Sequence, residues 1–293
     1  MLFLHSHNNT EPFPRTLEMP GSEETVRLSD GETRYFRMGT GPPLILLHGL
    51  GSSSLVWFGN IAPLAKSHTV YAVDLPGHGR TYKSVWPRPL DQAVTFMMEF
   101  MDASGISNAP IVGNSMGGLL ALATALQHPD RVQRVVLEGS AGLGSDAAWF
   151  LRLMTLPLLG EALAQPSRAA IRALLNRIFY NPVFATPTLV ETIYRNRRLP
   201  GNKRSMLSIL RSGVSIKGVN PNVIFTDQLS RINIPVLLLW GRNDLIFPLS
   251  HAERAVRLFP NAKLSVFDNC GHWPHVEFCK EFNGLVLDFC SLD

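Results

Sequence analysis

The chain alternates short, nearly uninterrupted apolar runs with longer amphipathic stretches. Pro43–Leu47 (PLILL), Thr69–Val73 (TVYAV), Pro110–Gly113 (PIVG), Val132–Leu137 and Pro235–Trp240 (PVLLLW) are such runs. Lys263–Phe267 alternates more, and Arg34–Arg37 is a candidate early strand. Continuous apolar runs signal strands buried on both faces, as in a parallel sheet covered by helices. Between them lie the helix candidates Leu55–Lys66, Leu90–Ser104, Met116–His128, Ser250–Phe259 and Val276–Phe289. Strand and helix in repeated succession predict a doubly wound α/β fold with a mostly parallel sheet of about eight strands.

The rhythm breaks between Gly144 and Ile232, where no clear buried strand appears and the text looks helical. Prolines at 157, 166, 182, 187, 200 and 221 cut this stretch into short pieces. Residues 145–230 carry eleven Lys/Arg against four acids, a surplus of seven, while the whole chain is only +4, so the remainder is net acidic. A set of amphipathic helices inserted over a rigid sheet is where an active-site cap would sit. The expected organisation is therefore an N-terminal arm at 1–22, a core of 23–144 and 232–293, and a helical cap at 145–231. A basic cap also raises the prospect of docking on an anionic membrane surface.

At 293 residues with 45% apolar and 17% charged side chains, the chain is long and apolar enough for a large core, which excludes disorder. The mild positive charge does not imply nucleic acid. No apolar run approaches the ~18 residues of a membrane span. Met1-Leu2-Phe3-Leu4 is too short for a signal segment, which points to a cytoplasmic protein. Asn8-Asn9-Thr10 fits the glycosylation pattern, a three-residue match that arises often by chance. Cys270, Cys279 and Cys290, odd in number and without CxxC spacing, read as reduced thiols on a C-terminal element.

Candidate chemistry centres on Gly113-Asn114-Ser115-Met116-Gly117, a G-x-S-x-G sequence between strand PIV and the helical MGGLLALATALQ. In that setting the pattern describes a nucleophile elbow, a sharp turn that lifts the serine hydroxyl above the sheet. Crowding there demands small neighbours, which Gly113 and Gly117 supply. A serine needs a base, and the base an orienting acid. Asp244 follows strand PVLLLW and His272 follows strand KLSVF, both just past strand carboxyl ends, where open α/β sheets form their ligand crevice. Asp268 is a poorer acid because it lies four residues before His272, whereas Glu138 stays open as a second choice. Asp74 is expected to shape the DLPGHG loop. His272 and His275 form H-x-x-H without a third ligand at sensible spacing, so no metal is expected, and His275 reads as a helix-start or surface residue. The tetrahedral intermediate needs two donors. Met116 N–H follows from the elbow, and Leu50 N–H is the choice from the His48–Ser54 loop. Ser54 there reads alternatively as an ordinary helix N-cap.

HGLG, DLPGHG, GNSMGG, GRND and GHW, in that order across residues 40–275, resemble the α/β-hydrolase superfamily. The resemblance implies Ser115, Asp244 and His272 as nucleophile, acid and base, Leu50 and Met116 as oxyanion donors, and a helical cap after the sixth strand. A serine nucleophile excludes the aspartate-based epoxide hydrolases and haloalkane dehalogenases. GNSMGG, EGSAGLG and His272-Trp273 are similar to meta-cleavage-product hydrolases, which cut carbon–carbon bonds in vinylogous diketones. That resemblance implies substrate contacts from Asn114, Trp273 and a cap arginine, with Arg195 the candidate and Gly49 beside the oxyanion loop. Two features depart from that group: HGLGSSS stands where it usually shows a richer glycine run, and Pro274-His275 replaces a polar pair. Lipolytic esterases carry the same motifs, and HGLGSSS fits them, so the reading favoured here is a cofactor-free carboxylesterase. The carbon–carbon cleavage of an anionic dienone is the alternative. A non-catalytic binding protein is a rival that an intact triad argues against. The partner is a small-molecule ester or dienone, with a homodimer left open.

Overall fold

The computed structural model describes residues 2–5 (as a backbone strand), 17–83, 85 and 89–291. Among the described residues are eleven strands: β1 (Leu2–His5), β2 (Ser22–Arg27), β3 (Glu32–Met38), β4 (Pro43–Leu47), β5 (Thr69–Val73), β6 (Ala109–Asn114), β7 (Val132–Glu138), β8 (Val214–Ser215), β9 (Gly218–Val219), β10 (Val236–Gly241) and β11 (Ala262–Phe267). Nine form one sheet in the order β1-β11-β10-β7-β6-β4-β5-β3-β2, and β8 and β9 form a small separate hairpin. Only β2–β3 and β3–β5 pair antiparallel within the large sheet. The five continuous or near-continuous runs become β4, β5, β6, β7 and β10, and the more alternating Lys263–Phe267 becomes β11, all buried along most of their length.

Two strands depart from expectation. The segment read as a loose arm contains β1, which adds to β11 at the sheet edge. The Asn8-Asn9-Thr10 match lies outside the described residues. β2 has the sequence SEETVR, whose acidic, exposed positions hide its alternation.

The helices are α1 (Ile61–Leu64), α2 (Pro89–Ala103), α3 (Met116–Gln127), α4 (Trp149–Leu153), α5 (Leu159–Leu163), α6 (Arg168–Ile178), α7 (Pro187–Arg197), α8 (Asn202–Gly213), α9 (Ser250–Ala255), α10 (Pro274–Glu277) and α11 (Cys279–Cys290). The helix expected over Leu55–Lys66 is instead a 3-10 turn at Ser54–Trp57 followed by the one-turn α1. Ser54 is not its cap: its N–H and its hydroxyl both donate to the Asp74 carboxylate at 2.7 Å. The last predicted helix is broken at Phe278 (φ −127°, ψ 43°) into α10 and α11.

Helices α4–α8 and the β8–β9 hairpin lie between β7 and β10. They are short and amphipathic, and each of α6 and α7 has a serine or threonine N-cap whose oxygen accepts a backbone N–H. No helix of the described residues is long and apolar enough to cross a membrane.

Candidate active site

β6 runs into α3 through Ser115, whose backbone sits at φ 55° and ψ −113°, a conformation L-residues rarely adopt. The strain persists because the surroundings leave no alternative. Ser115 N–H donates to Glu138 O (2.9 Å), and Ser115 O accepts from Gly118, Leu119 and Ala141. A Cβ on Gly117 would stand 2.3 Å from Leu47 O, and one on Gly113 2.4 Å from the Gly117 backbone, so strand and helix meet at a spacing only glycine permits.

The Gly49–Ser52 loop crosses in front of this elbow. A Cβ on Gly49 would lie 2.8 Å from Asn114 Oδ1 and 3.2 Å from Ser115 Cβ. Ser52 N–H closes the loop as a turn on Gly49 O (3.3 Å). His48 anchors it from behind: Leu75 N–H donates to its Nε2 at 3.0 Å, so Nδ1 carries the proton and donates to Gly49 O at 2.8 Å. Burial holds this imidazole below its ordinary pKa, and its role is to lock the loop as a neutral group. Asp74 does shape the neighbouring loop. Wholly buried, it accepts from Ser54, from Arg80 N–H (2.9 Å) and from the Arg34 guanidinium (3.0 Å). Burial pushes its pKa up, but Arg34, His48 and these donors outweigh that and leave it below its ordinary value.

On the far side of the elbow, His272 Nδ1 meets Asp244 Oδ2 at 2.7 Å, with both side chains almost fully buried. Asp244 Oδ1 accepts Ile246 N–H (2.7 Å) and Phe247 N–H (3.1 Å), so the carboxylate has both oxygens held. With Nδ1–H committed to Asp244, Nε2 of His272 is the nitrogen able to take a proton. Asn114 Nδ2 donates to His272 O (3.3 Å) and Glu138 O (3.4 Å), tying the elbow to the loop that carries the imidazole.

Gly49, Leu50, Asn114, Ser115, Met116, His272 and Trp273 all line one cavity of about 410 Å3, within the range of small-molecule sites. Its walls are mostly Leu, Ile, Val, Met and Phe, contributed by α3 and by α4–α8. Arg195 is not brought there. It is 78% exposed and pairs with Glu191 one turn back on α7. Arg197, two residues on and so about 200° around the helix, faces the cavity instead, its Nε donating to Gly51 O at 2.9 Å. Among the described residues no carboxylate pairs with it. Burial lowers its pKa to about 10, so it stays charged at neutral pH. The signal was present in the sequence: Leu189, Ile193 and Arg197 recur at four-residue spacing on the inward face.

The remaining candidates lie elsewhere. Asp268 binds Arg242 at the surface. Glu138 accepts from His275, both from its N–H (2.7 Å) and its Nδ1 (2.8 Å). His275 does begin a helix but is buried, not on the surface. Cys270 is buried in the loop before His272, and Cys279 and Cys290 bound α11, all three as thiols. Sequence reasoning also passed over Glu277, which accepts Gly271 N–H at 2.6 Å and Asn181 N–H at 3.0 Å.

With this geometry in place, comparison with known proteins is informative. Residues 42–278 match the α/β hydrolase fold family. The chain is 33% identical, over 98% of both chains, to a 2-hydroxy-6-oxo-6-phenylhexa-2,4-dienoate hydrolase of Burkholderia cepacia. It is 34% identical, over 86% of this chain and 89% of the relative, to a 2-hydroxy-6-oxononadienedioate/2-hydroxy-6-oxononatrienedioate hydrolase of Comamonas testosteroni. Among solved structures, a meta-cleavage product hydrolase of Pseudomonas fluorescens superposes with a TM-score of 0.80 at 31% identity, over 91% of this chain and 96% of that one. The protein is a hydrolase and belongs to the α/β-hydrolase family.

Proposed function

We propose that the protein hydrolyses a carbon–carbon bond in an anionic vinylogous diketone of the 2-hydroxy-6-oxodienoate class, in preference to the ester hydrolysis that the motifs alone favour. The observation that carries this reading is Arg197, a cation in a mostly apolar cavity without an acidic partner among the described residues, whereas Arg177, the other arginine of the lining, lies over the Trp149 ring. A charge partly withdrawn from water and left unpaired is costly, so such a site is made for an anion to complete it. A neutral ester offers the guanidinium an acceptor oxygen but no opposite charge. The relatives' names supply a matching compound, with a carboxylate at one end and a ketone six carbons along. Residues 145–231 act as the cap that brings this cation to the site.

The chemistry follows from the positions. The Arg197 guanidinium holds the C1 carboxylate, and Trp273 and the cap walls fix the chain in one direction. Moving the enol proton from the C2 oxygen to C5 yields the 2,6-dioxo tautomer. Ser115 Oγ then adds to C6 as His272 Nε2 takes its proton, and Asp244 stabilises the imidazolium. Leu50 and Met116 N–H groups receive the oxyanion. Its collapse breaks C5–C6. The electron pair passes through C3–C4 to the C2 oxygen, and the imidazolium protonates the resulting dienolate. Water, deprotonated by His272, hydrolyses the acyl-serine and releases the second acid. No cofactor enters this scheme.

A substrate panel decides it. The expected result is that kcat/KM for a 2-hydroxy-6-oxohexa-2,4-dienoate, followed by loss of its chromophore, exceeds that for every p-nitrophenyl ester of graded length. Arg197→Ala should raise KM for the dienoate about tenfold or more, the scale of one lost charged hydrogen bond, while neutral esters change little. Faster turnover of any ester, with Arg197→Ala indifferent, overturns the carbon–carbon reading in favour of the esterase.

A further inference from the structure

The loop that carries His272 is held by the cap as well as by the sheet. His272 N–H donates to Ile178 O, the last residue of α6, at 2.6 Å. A Cβ on Gly271 would stand 2.1 Å from that same oxygen and 2.9 Å from Tyr180 N, so the two backbones touch. Beneath the contact lies the Glu277 carboxylate, 3% exposed at the end of α10. One oxygen accepts Gly271 N–H at 2.6 Å, and the other accepts Asn181 N–H at 3.0 Å. Tyr180 N–H also favours its ionised form. Each carboxylate oxygen therefore serves a different segment: one the base's loop, the other the cap chain just beyond α6. Helix α6 in turn forms cavity wall through Ile171, Leu174, Leu175 and Ile178.

We propose that Glu277 is a positioning residue that couples the seating of the cap to the placement of His272. A substrate packed against α6 presses on a segment whose far end is bonded to the loop of the general base, and Glu277 is the shared anchor. The coupling rests on the reading of Ser115 and His272 as a reacting pair, and not on the substrate class. An anchor of this kind works best ionised, because three backbone N–H groups aim at it and a neutral carboxyl accepts them more weakly. Burial opposes ionisation and pushes the pKa up to about 7 against the pull of those donors. Of the titratable groups facing it, the Cys270 thiol on the base's loop donates to Glu277 Oε1 at 3.6 Å and sides with the backbone donors, while Glu138 and Asp244, at the ends of β7 and β10, act on that thiol and help keep it protonated.

The test compares wild type with Glu277→Gln, using the rate of Ser115 labelling by a fluorophosphonate, its pH profile, and amide hydrogen exchange. Glutamine retains one acceptor but turns an NH2 toward the other N–H. The expected result is labelling slowed about tenfold or more at pH 8, since small misplacements of a base are costly. Exchange should rise together at residues 178–181 and 270–272. The acid limb of labelling should fall with two protons in the wild type and with one in the variant. Unchanged labelling, or loosening confined to one of the two segments, overturns the coupling. Should Glu277→Gln fail to fold, the wild type alone decides: a two-proton limb with protection at 178–181 and 270–272, corrected for the intrinsic exchange rate, shifting jointly through pH about 7 supports the coupling, and a one-proton limb, or protection that stays constant or shifts in one segment alone, refutes it. If the wild type resists the probe, the reading of Ser115 and His272 is at fault. The exchange arm still judges the anchor, joint loosening in its favour and independent loosening against it.

Discussion

His272 and His275 are three residues apart, both buried, and each holds a carboxylate through Nδ1, at 2.7 Å to Asp244 and 2.8 Å to Glu138. Their second nitrogens differ. His272 borders the cavity beside Ser115, with Phe247 edge-on at 5.9 Å. His275 is enclosed by Trp57 at 4.4 Å, Trp273 at 5.4 Å and Phe282 at 6.0 Å, and its buried Nε2 has no hydrogen-bond partner among the described residues. Under the proposed mechanism the same dyad serves as a base where it meets open space, and it is a structural strut where it meets aromatic walls. What sets the role is the surface offered to the other ring nitrogen, not the pair itself. Glu138, the second choice for the acid on sequence grounds, is excluded from the site because its carboxylate is already committed to His275.

The largest expected effects fall on the first pair. Ser115→Ala should abolish turnover and fluorophosphonate labelling while Tm stays close to that of the wild type. Asp244→Asn should lower kcat about 10^4-fold, since an amide favours the wrong imidazole tautomer. If both variants keep near-normal rates, the cavity pair is no more a base than its neighbour, and the comparison fails.

The second pair should respond in stability instead. Glu138→Ala leaves a buried imidazole without its acceptor, a loss on the order of 3–5 kcal/mol, or about 10 °C in Tm for a chain of this size. Labelling of Ser115 in the folded protein should stay within a few-fold of wild type, because only the Glu138 backbone oxygen contacts Ser115. A collapse of labelling in folded Glu138→Ala would mean that the strut is part of the catalytic apparatus.

How much of this was legible beforehand depends on what each residue packs against. The sheet could be read because β4, β6, β7 and β10 are covered on both faces, and that demands unbroken apolar text. The elbow could be read because Gly113 and Gly117 are dictated by a contact between adjacent elements. The cap was legible as helical but not in its facing. Apolar side chains there serve packing and the cavity alike, and a two-residue error in phase exchanges Arg195 for Arg197. Glu277 and His275 were opaque for another reason. An acid and a histidine near a chain terminus read as surface, and what buries them are backbone donors and aromatic rings distant in sequence, Tyr180, Asn181 and Trp57 among them.

A third buried imidazole shows the consequence of having no carboxylate bonded to its ring among the described residues. His78 stands against His48 at 5.2 Å, and burial together with that neighbour pushes its pKa down to about 3. Its folded pKa lies below the unfolded value near 6.5, so the unfolded chain binds the extra proton between pH 6.5 and 3. Stability from this group is therefore complete above 6.5 and declines as pH falls through that window, by up to ~1.4 kcal/mol per unit. Glu277 acts oppositely. Its raised pKa stabilises the fold below 4.5, a contribution lost as pH climbs to about 7. Between pH 4.5 and 6.5 Glu277 offsets part of the slope that His78 shares with His48, His68 and His251, whose pKa values burial also lowers, and the wild-type Tm should vary little there. Glu277→Gln should unmask a Tm that rises with pH across that window, and a still-level curve would remove His78 as its source.

The smallest effect sharpens the contrast between the two arginines of α7. Arg195 is 78% exposed and its partner Glu191 is itself at the surface, so solvent and salt screen the pair. Arg195→Ala should leave Tm, KM for the dienoate and KM for neutral esters all unchanged within error. Arg197→Ala shifts only the KM of the anion. Measured side by side with one dienoate and one ester, the two variants separate a charge that faces water from a charge that faces substrate on a single helix. A KM shift in Arg195→Ala equal to that in Arg197→Ala would place the anion outside the cavity, over the solvent face of α7, and the orientation proposed for the substrate would have to be abandoned.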